Sequence, residues 1–161
     1  MLKKLISNVD ESALQEAVQS ELYASNLYLH LANQCQRKGL FGAAKYFRAE
    51  SDDERSHYQK IADFLNDRGA VAELPEIDAC DEEASGLKSA VEIAYQAEVD
   101  LGDKYERWYK TASPITQQFL LQYLEIQRVS IGEYGDLLSR LELAGEDECA
   151  ILIVDQELGN A

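Results

Sequence analysis

The chain has 161 residues, 46% of them hydrophobic, with only two prolines and nine glycines. That composition excludes a disordered chain and argues against a turn-rich β-sandwich; it favours long uninterrupted helices in a single domain spanning residues 1–161. With 30 Asp+Glu against 15 Lys+Arg the formal charge is -15, which repels nucleic-acid phosphates and anionic membranes and attracts metal cations.

No apolar run reaches the ~18 residues that a membrane-spanning helix needs. The opening stretch MLKKLISNVDES is apolar too briefly for a secretory signal. Cys35, Cys80 and Cys149 show no CxxC spacing, so they fit reduced thiols in the cytoplasm rather than a zinc site.

In chain order, the first helical segment runs from about Asp10 to Lys38 and stops at Gly39. Its apolar stripe reads Leu14, Val18, Leu22, Ser25, Leu29, Ala32. His30 lies off that stripe and reads as surface, and Cys35 as a small buried or half-buried side chain. The second segment runs from about Phe41 to Arg68 and stops at Gly69. Some 16 residues follow, Gly69 to Ala84, rich in acids and alanine. The third segment runs from about Ser85 to Ala112, with Trp108 as a core or interface aromatic. Ser113 is placed to N-cap the fourth, with Pro114 at its first position, and that helix runs through Tyr123 to about Ala144. A fifth, short helix spans about Glu148 to Leu158.

Connection lengths set the topology. Tight turns at Gly39 and Pro114 make helices 1 and 2, and helices 3 and 4, antiparallel neighbours. A 16-residue connection extends to about 50 Å, and a 28-residue helix is about 42 Å long. The connection can therefore run the length of a bundle and leave helices 2 and 3 parallel. The expected fold is all-α: a ferritin-like four-helix bundle with one long crossover and a short fifth C-terminal helix.

Each long helix carries a polar residue where its core stripe should be. Glu21 lies seven residues from both Leu14 and Tyr28, and Glu54 seven from both Phe47 and Ile61. His57 follows one turn on. Glu98 sits between Val91 and Tyr105, and Gln127 between Leu120 and Tyr134. Seven residues is two turns, so each polar group points to the same side as its apolar neighbours. Their heights match as well. Glu21 precedes Gly39 by 18 residues and His57 follows it by 18; Glu98 precedes Pro114 by 16, and Gln127 and Ser130 follow it by 13 and 16. The residues therefore converge near mid-bundle.

A buried, unpaired carboxylate costs many kcal/mol or takes up a proton. No lysine or arginine lies on these stripes to pair with Glu21, Glu54 and Glu98. Two divalent metals supply the missing positive charge. Oxygen-rich donors with one imidazole and open positions suit iron or manganese better than structural zinc. Glu54 and His57, at i and i+3, are a bundle's way of offering two ligands from one helix.

On these residues the chain resembles the non-haem ferritins, prokaryotic members especially. The likeness is carried by Glu21-Leu22-Tyr23 with Tyr28, by Asp53-Glu54-Arg55-Ser56-His57, by Glu98 and by Gln127. The closing stretch Leu152-Ile153-Val154-Asp155-Gln156-Glu157-Leu158 is similar to the fifth helix of cyanobacterial ferritins. The resemblance implies a ferroxidase that oxidises Fe(II) with O2 or peroxide and stores ferric mineral in a cage of 24 subunits, the fifth helix lying at the fourfold contacts.

By the same resemblance, Glu21, Glu54 and His57 hold one iron, and Glu54 bridges to a second held by Glu98. Gln127 is a hydrogen-bond partner or weak ligand beside it. Tyr28 bonds to a ligand and can donate an electron. Asp53, where ferritins commonly have glutamate, and Glu50 guide iron. The expected metal content is two iron ions per subunit and no haem, because Met1 is the only methionine. Gln127 and Ser130 replace the Glu and His that bacterioferritins carry on helix 4. Thr116-Gln117-Gln118-Phe119-Leu120 lacks the acidic pair that lines threefold iron channels in animal ferritins. The alternative reading is another di-iron carboxylate oxidase acting on a small organic substrate. No nucleic-acid or membrane partner is expected.

Overall fold

A computed structural model describes residues 2–161. It contains α1 (Asn8–Arg37), α2 (Phe41–Asp67), α3 (Leu87–Thr111), α4 (Pro114–Ala144) and α5 (Glu148–Gly159), with no strand among the described residues. The chain is all-α, a ferritin-like bundle with a short C-terminal helix, as expected. Among the described residues no helix is long and apolar enough to cross a membrane.

The helix ends follow local chemistry, and three differ from expectation. α1 starts before Asp10 because the Ser7 hydroxyl accepts from the Asp10 N–H at 3.1 Å. α3 starts at Leu87 rather than Ser85, after an extended Gly86. Ser113 occupies the cap position before Pro114 but does not cap α4 through its side chain. Its hydroxyl instead donates to Asp10 Oδ2 at 2.5 Å, tying the α3–α4 turn to the start of α1. Gly39 (φ 80°) and Gly69 (φ 78°) end α1 and α2 in the left-handed conformation that a Cβ disfavours.

The crossover runs along α1. Gln15 donates to the Glu73 carbonyl at 2.5 Å and its Oε1 accepts from the Glu73 N–H at 3.1 Å. Towards the far end of α1, Gln34 donates to the Glu82 carbonyl at 2.9 Å and accepts from the Ala84 N–H at 2.7 Å. His30 is half-buried there, a ring nitrogen 2.8 Å from the Glu82 carbonyl, and so fastens the crossover rather than facing water alone. The connection thus travels from one end of α1 towards the other, which makes α2 and α3 parallel.

The α1 stripe needs one correction. Leu14, Val18, Ser25 and Ala32 are buried, but Leu22 is only half-buried and Leu29 is 40% exposed. The buried line passes instead through Glu21 and Tyr28, each one residue back, or about 100° round the helix. The core divides into two apolar layers. One holds Tyr28, Leu31, Phe47, Val91 and Tyr134; the other holds Leu14, Val18, Ile61, Leu65, Tyr105, Trp108, Leu120 and Tyr123. Trp108 and Tyr123 are core residues. The buried polar side chains Glu21, Ser25, Ser51, Glu54, Glu98 and Gln127 belong to neither layer.

α5 packs on α2. The Asp155 carboxylate accepts from the Gly42 N–H at 3.1 Å and the Ala43 N–H at 2.7 Å, satisfying the first turn of α2, whose own cap residue, Leu40, has no polar side chain.

Candidate metal centre

A reciprocal serine pair fixes α1 against α2 beside the centre. The Ser51 hydroxyl donates to the Ser25 carbonyl at 2.8 Å, and the two hydroxyls are 2.9 Å apart. Small side chains let the helices approach closely, and Glu21 and Glu54 stand one turn from this lock. Glu21, Glu54 and His57 each offer a donor atom, and these atoms lie within 4.8 Å of one another. His57 Nδ1 is 3.3 Å from Glu54 Oε2 and 3.6 Å from Glu21 Oε2.

Glu98 is buried but lies outside that tight trio. The Tyr28 hydroxyl donates to its Oε1, and Gln127 Nε2 donates to its Oε2 at 2.6 Å and to its carbonyl at 3.1 Å. Asp53 is exposed and Glu50 half-buried, Glu50 accepting from the Tyr134 hydroxyl at 3.3 Å.

Two further partners were not foreseen. The Tyr105 hydroxyl donates to Glu21 Oε1 at 2.5 Å, and the Tyr123 hydroxyl donates to the His57 carbonyl at 2.8 Å. A signal for Tyr105 was present. Tyr28 lies seven residues after Glu21 and Tyr105 seven after Glu98. On antiparallel helices that spacing sets each tyrosine opposite the other helix's acid.

The electrostatics are those of a site short of positive charge. Burial, then Glu21 beside it, pushes the Glu54 carboxyl well above the usual range. Burial, then the Glu54 charge, lifts Glu98 to about 7. Burial, then Asp53, does the same for Glu50, also to about 7. For His57, burial alone favours the neutral ring, but the neighbouring Glu21 and Glu54 carboxylates outweigh it and raise the imidazole to about 10. Burial, then the facing carboxylate, raises the Tyr28 and Tyr105 phenols well above their ordinary value, so both remain donors.

Within this site, among the described residues, two buried acceptors have no hydrogen-bond partner, Glu21 Oε2 and Gln127 Oε1. Orphaned acceptors among crowded carboxylates are costly in a closed core. The donor set, carboxylates with one imidazole and an amide oxygen, is one that hard cations take up.

The ferritin-like domain family matches residues 11–144, and the chain belongs to that family. It is 28% identical over 151 residues to a probable bacterial non-heme ferritin-like protein of Haemophilus influenzae, covering 91% of this chain and 92% of that one. It is 32% identical over 157 residues to a ferritin of Pacifastacus leniusculus, covering 92% and 87%. In structure it is similar to an open pore ferritin of Archaeoglobus fulgidus, with a TM-score of 0.94, 28% identity and 99% of each chain covered. Family and fold support iron storage.

Proposed function

We propose that this protein is a cytoplasmic ferroxidase that oxidises Fe(II) with O2 or peroxide at a di-iron centre and stores the ferric product inside a homo-oligomeric cage of 24 subunits. The carrying observation is the trio Glu21, Glu54 and His57, with donor atoms within 4.8 Å and the Glu21 Oε2 acceptor buried and unpartnered. One Fe(II) is held by Glu21, Glu54 and His57. Glu54 bridges to a second Fe(II), which Glu98 holds. The Gln127 amide oxygen, also buried and unpartnered, is free to serve the second Fe(II) as a weak ligand or through water.

Two adjacent Fe(II) ions give two electrons to one O2, and two protons complete hydrogen peroxide, so superoxide is avoided. Tyr28 keeps Glu98 oriented and is a reserve electron donor. The exposed Asp53 and half-buried Glu50 lead iron between the centre and the mineral. Assembly is supported by apolar surface at the α4–α5 end, where Leu143, Leu152 and Ile153 are 90%, 53% and 56% exposed.

The test is stopped-flow oxidation of Fe(II) in air, with particle size by ultracentrifugation. The wild type should show a fast ferric absorbance phase and sediment as a large cage. Glu54→Ala should slow the fast phase by about tenfold or more while leaving the particle intact. A normal fast phase in that variant would overturn the site.

A further inference from the structure

A line of polar-tipped aromatic side chains leads away from Glu21. Tyr105, fully buried on α3, bonds to Glu21 Oε1 at 2.5 Å. One turn on, Trp108 packs edge-on against it, ring centroids 5.2 Å apart at 89°. Trp108 Nε1 donates outward to Glu16 Oε2 at 3.3 Å, and Glu16 is exposed. Trp108 also lines two surface grooves, one flanked by α1, α3 and the crossover. Glu21, Tyr105, Trp108 and Glu16 therefore form a continuous chain from the buried carboxylates to solvent.

Tyrosine and tryptophan are the side chains most readily oxidised one electron at a time, and each sheds its acidic proton as the electron leaves. A buried phenol with no base beside it resists oxidation. Here both rings already have a carboxylate on that proton. Tyr123 provides the contrast: it stacks on Tyr105 with centroids 4.9 Å apart, but its hydroxyl faces only the His57 carbonyl, which takes no proton. Tyr105 and Trp108, unlike Tyr123, are therefore the rings with a carboxylate placed to take the proton.

We propose that Tyr105 and Trp108 form a one-electron relay between the iron centre and the protein surface; the proposal rests on the ferroxidase reading. The relay acts when hydrogen peroxide meets a centre holding a single Fe(II). Reducing peroxide to two waters takes two electrons and two protons. Fe(II) gives one electron and becomes Fe(III). Tyr105 gives the second, its proton moving to Glu21 Oε1. Trp108 then refills Tyr105, which recovers its proton from Glu21, and the Trp108 N–H proton passes to Glu16. Solvent supplies both protons that the peroxide takes up, and Glu16 releases the Trp108 proton back to solvent. In sum, Fe(II), H2O2, Trp108–H and H+ give Fe(III), two H2O and the neutral Trp108 radical, with no free hydroxyl radical. A thiol in solution returns a hydrogen atom to Trp108 and leaves as a thiyl radical.

Because the chain has one tryptophan, the radical can be assigned without ambiguity. Protein carrying Tyr28→Phe, which removes the other phenol on a site carboxylate, is loaded anaerobically with one Fe(II) per subunit. It is mixed with one equivalent of hydrogen peroxide and freeze-quenched for EPR. A signal that narrows on ring-deuteration of tryptophan is expected, decaying faster when glutathione is present. Adding Trp108→Phe should abolish that signal and leave a tyrosyl radical that survives glutathione severalfold longer. Adding Tyr105→Phe should cut the tryptophan radical yield severalfold. Rapid Fe(II) oxidation with no tryptophan radical, or an undiminished yield in Tyr105→Phe, would overturn the relay. Absence of Fe(II) oxidation in the wild type is a separate result: it would overturn the ferroxidase reading and the relay with it.

Discussion

The Tyr105 hydroxyl donates to Glu21 Oε1 at 2.5 Å across α1 and α3, and the Tyr28 hydroxyl makes the reciprocal bond to Glu98. Each helix supplies one acid and one tyrosine, two turns apart, and each tyrosine orients the other helix's acid. Replacing Tyr105 by Phe keeps the ring but leaves Glu21 Oε1 without a donor, in a residue whose Oε2 already has none. The metal-free variant should lose about 1–3 kcal/mol. Calorimetric melting checks this; an unchanged melting temperature would mean that the bond contributes nothing.

Metal-free protein should lose stability as pH rises. Glu98 and Glu50 hold their protons to about 7 in the folded chain, against 4.5 for the ordinary group. His57 holds its proton to about 10, against 6.5. In both windows the folded state binds more protons than the unfolded state, so stability falls from about pH 5 to pH 10. Melting curves across that range check the sign. Cations compete with these protons, so Fe(II) affinity should rise over the same range and binding should release protons.

Glu98→Gln should stabilise the metal-free protein at pH 8 by about 1–3 kcal/mol and give no gain at pH 5, where the wild-type carboxyl is already neutral. The new amide oxygen still accepts from Tyr28. Gln127, whose Oε1 lacks a partner, can turn its amide to accept the new N–H. Destabilisation at both pH values would contradict this, and would mean that the hydrogen bonds outweigh the charge.

Gly42→Ala should loosen α5. A Cβ on Gly42 would sit 1.8 Å from the Asp155 carbonyl oxygen, which is backbone and cannot step aside. The clash should cost about 1–3 kcal/mol, and hydrogen exchange should quicken in the α5 amides more than elsewhere. Asp155→Ala, which removes the cap on α2 without a clash, should cost about 0.5–2 kcal/mol. Unaltered α5 protection in Gly42→Ala would contradict this packing.

Much of the fold and part of the site could be read from spacing. The turns at Gly39 and Pro114 gave the helix pairing, and equal distances from Gly39 put Glu21 level with His57. The stripe through Leu22 and Leu29 went astray because the four-residue step from Val18 turns the helix past one full turn; stepping three residues to Glu21 follows the buried line. Tyr105 served only as an apolar marker for Glu98, because spacing reports which face a residue takes and not which atom its hydroxyl meets. The crossover anchors Gln15, His30 and Gln34 were hidden, since an irregular backbone has no period. The roles of Asp155 and Ser113 were hidden as well, because each bonds to a partner far away in sequence.

Anomalous diffraction from crystals soaked aerobically in Fe(II) is the most direct measurement. Two iron peaks per subunit are expected, one touching Glu21, Glu54 and His57, the other touching Glu54 and Glu98. Iron confined to surface carboxylates, with none at these four buried side chains, would contradict the proposed ferroxidase centre.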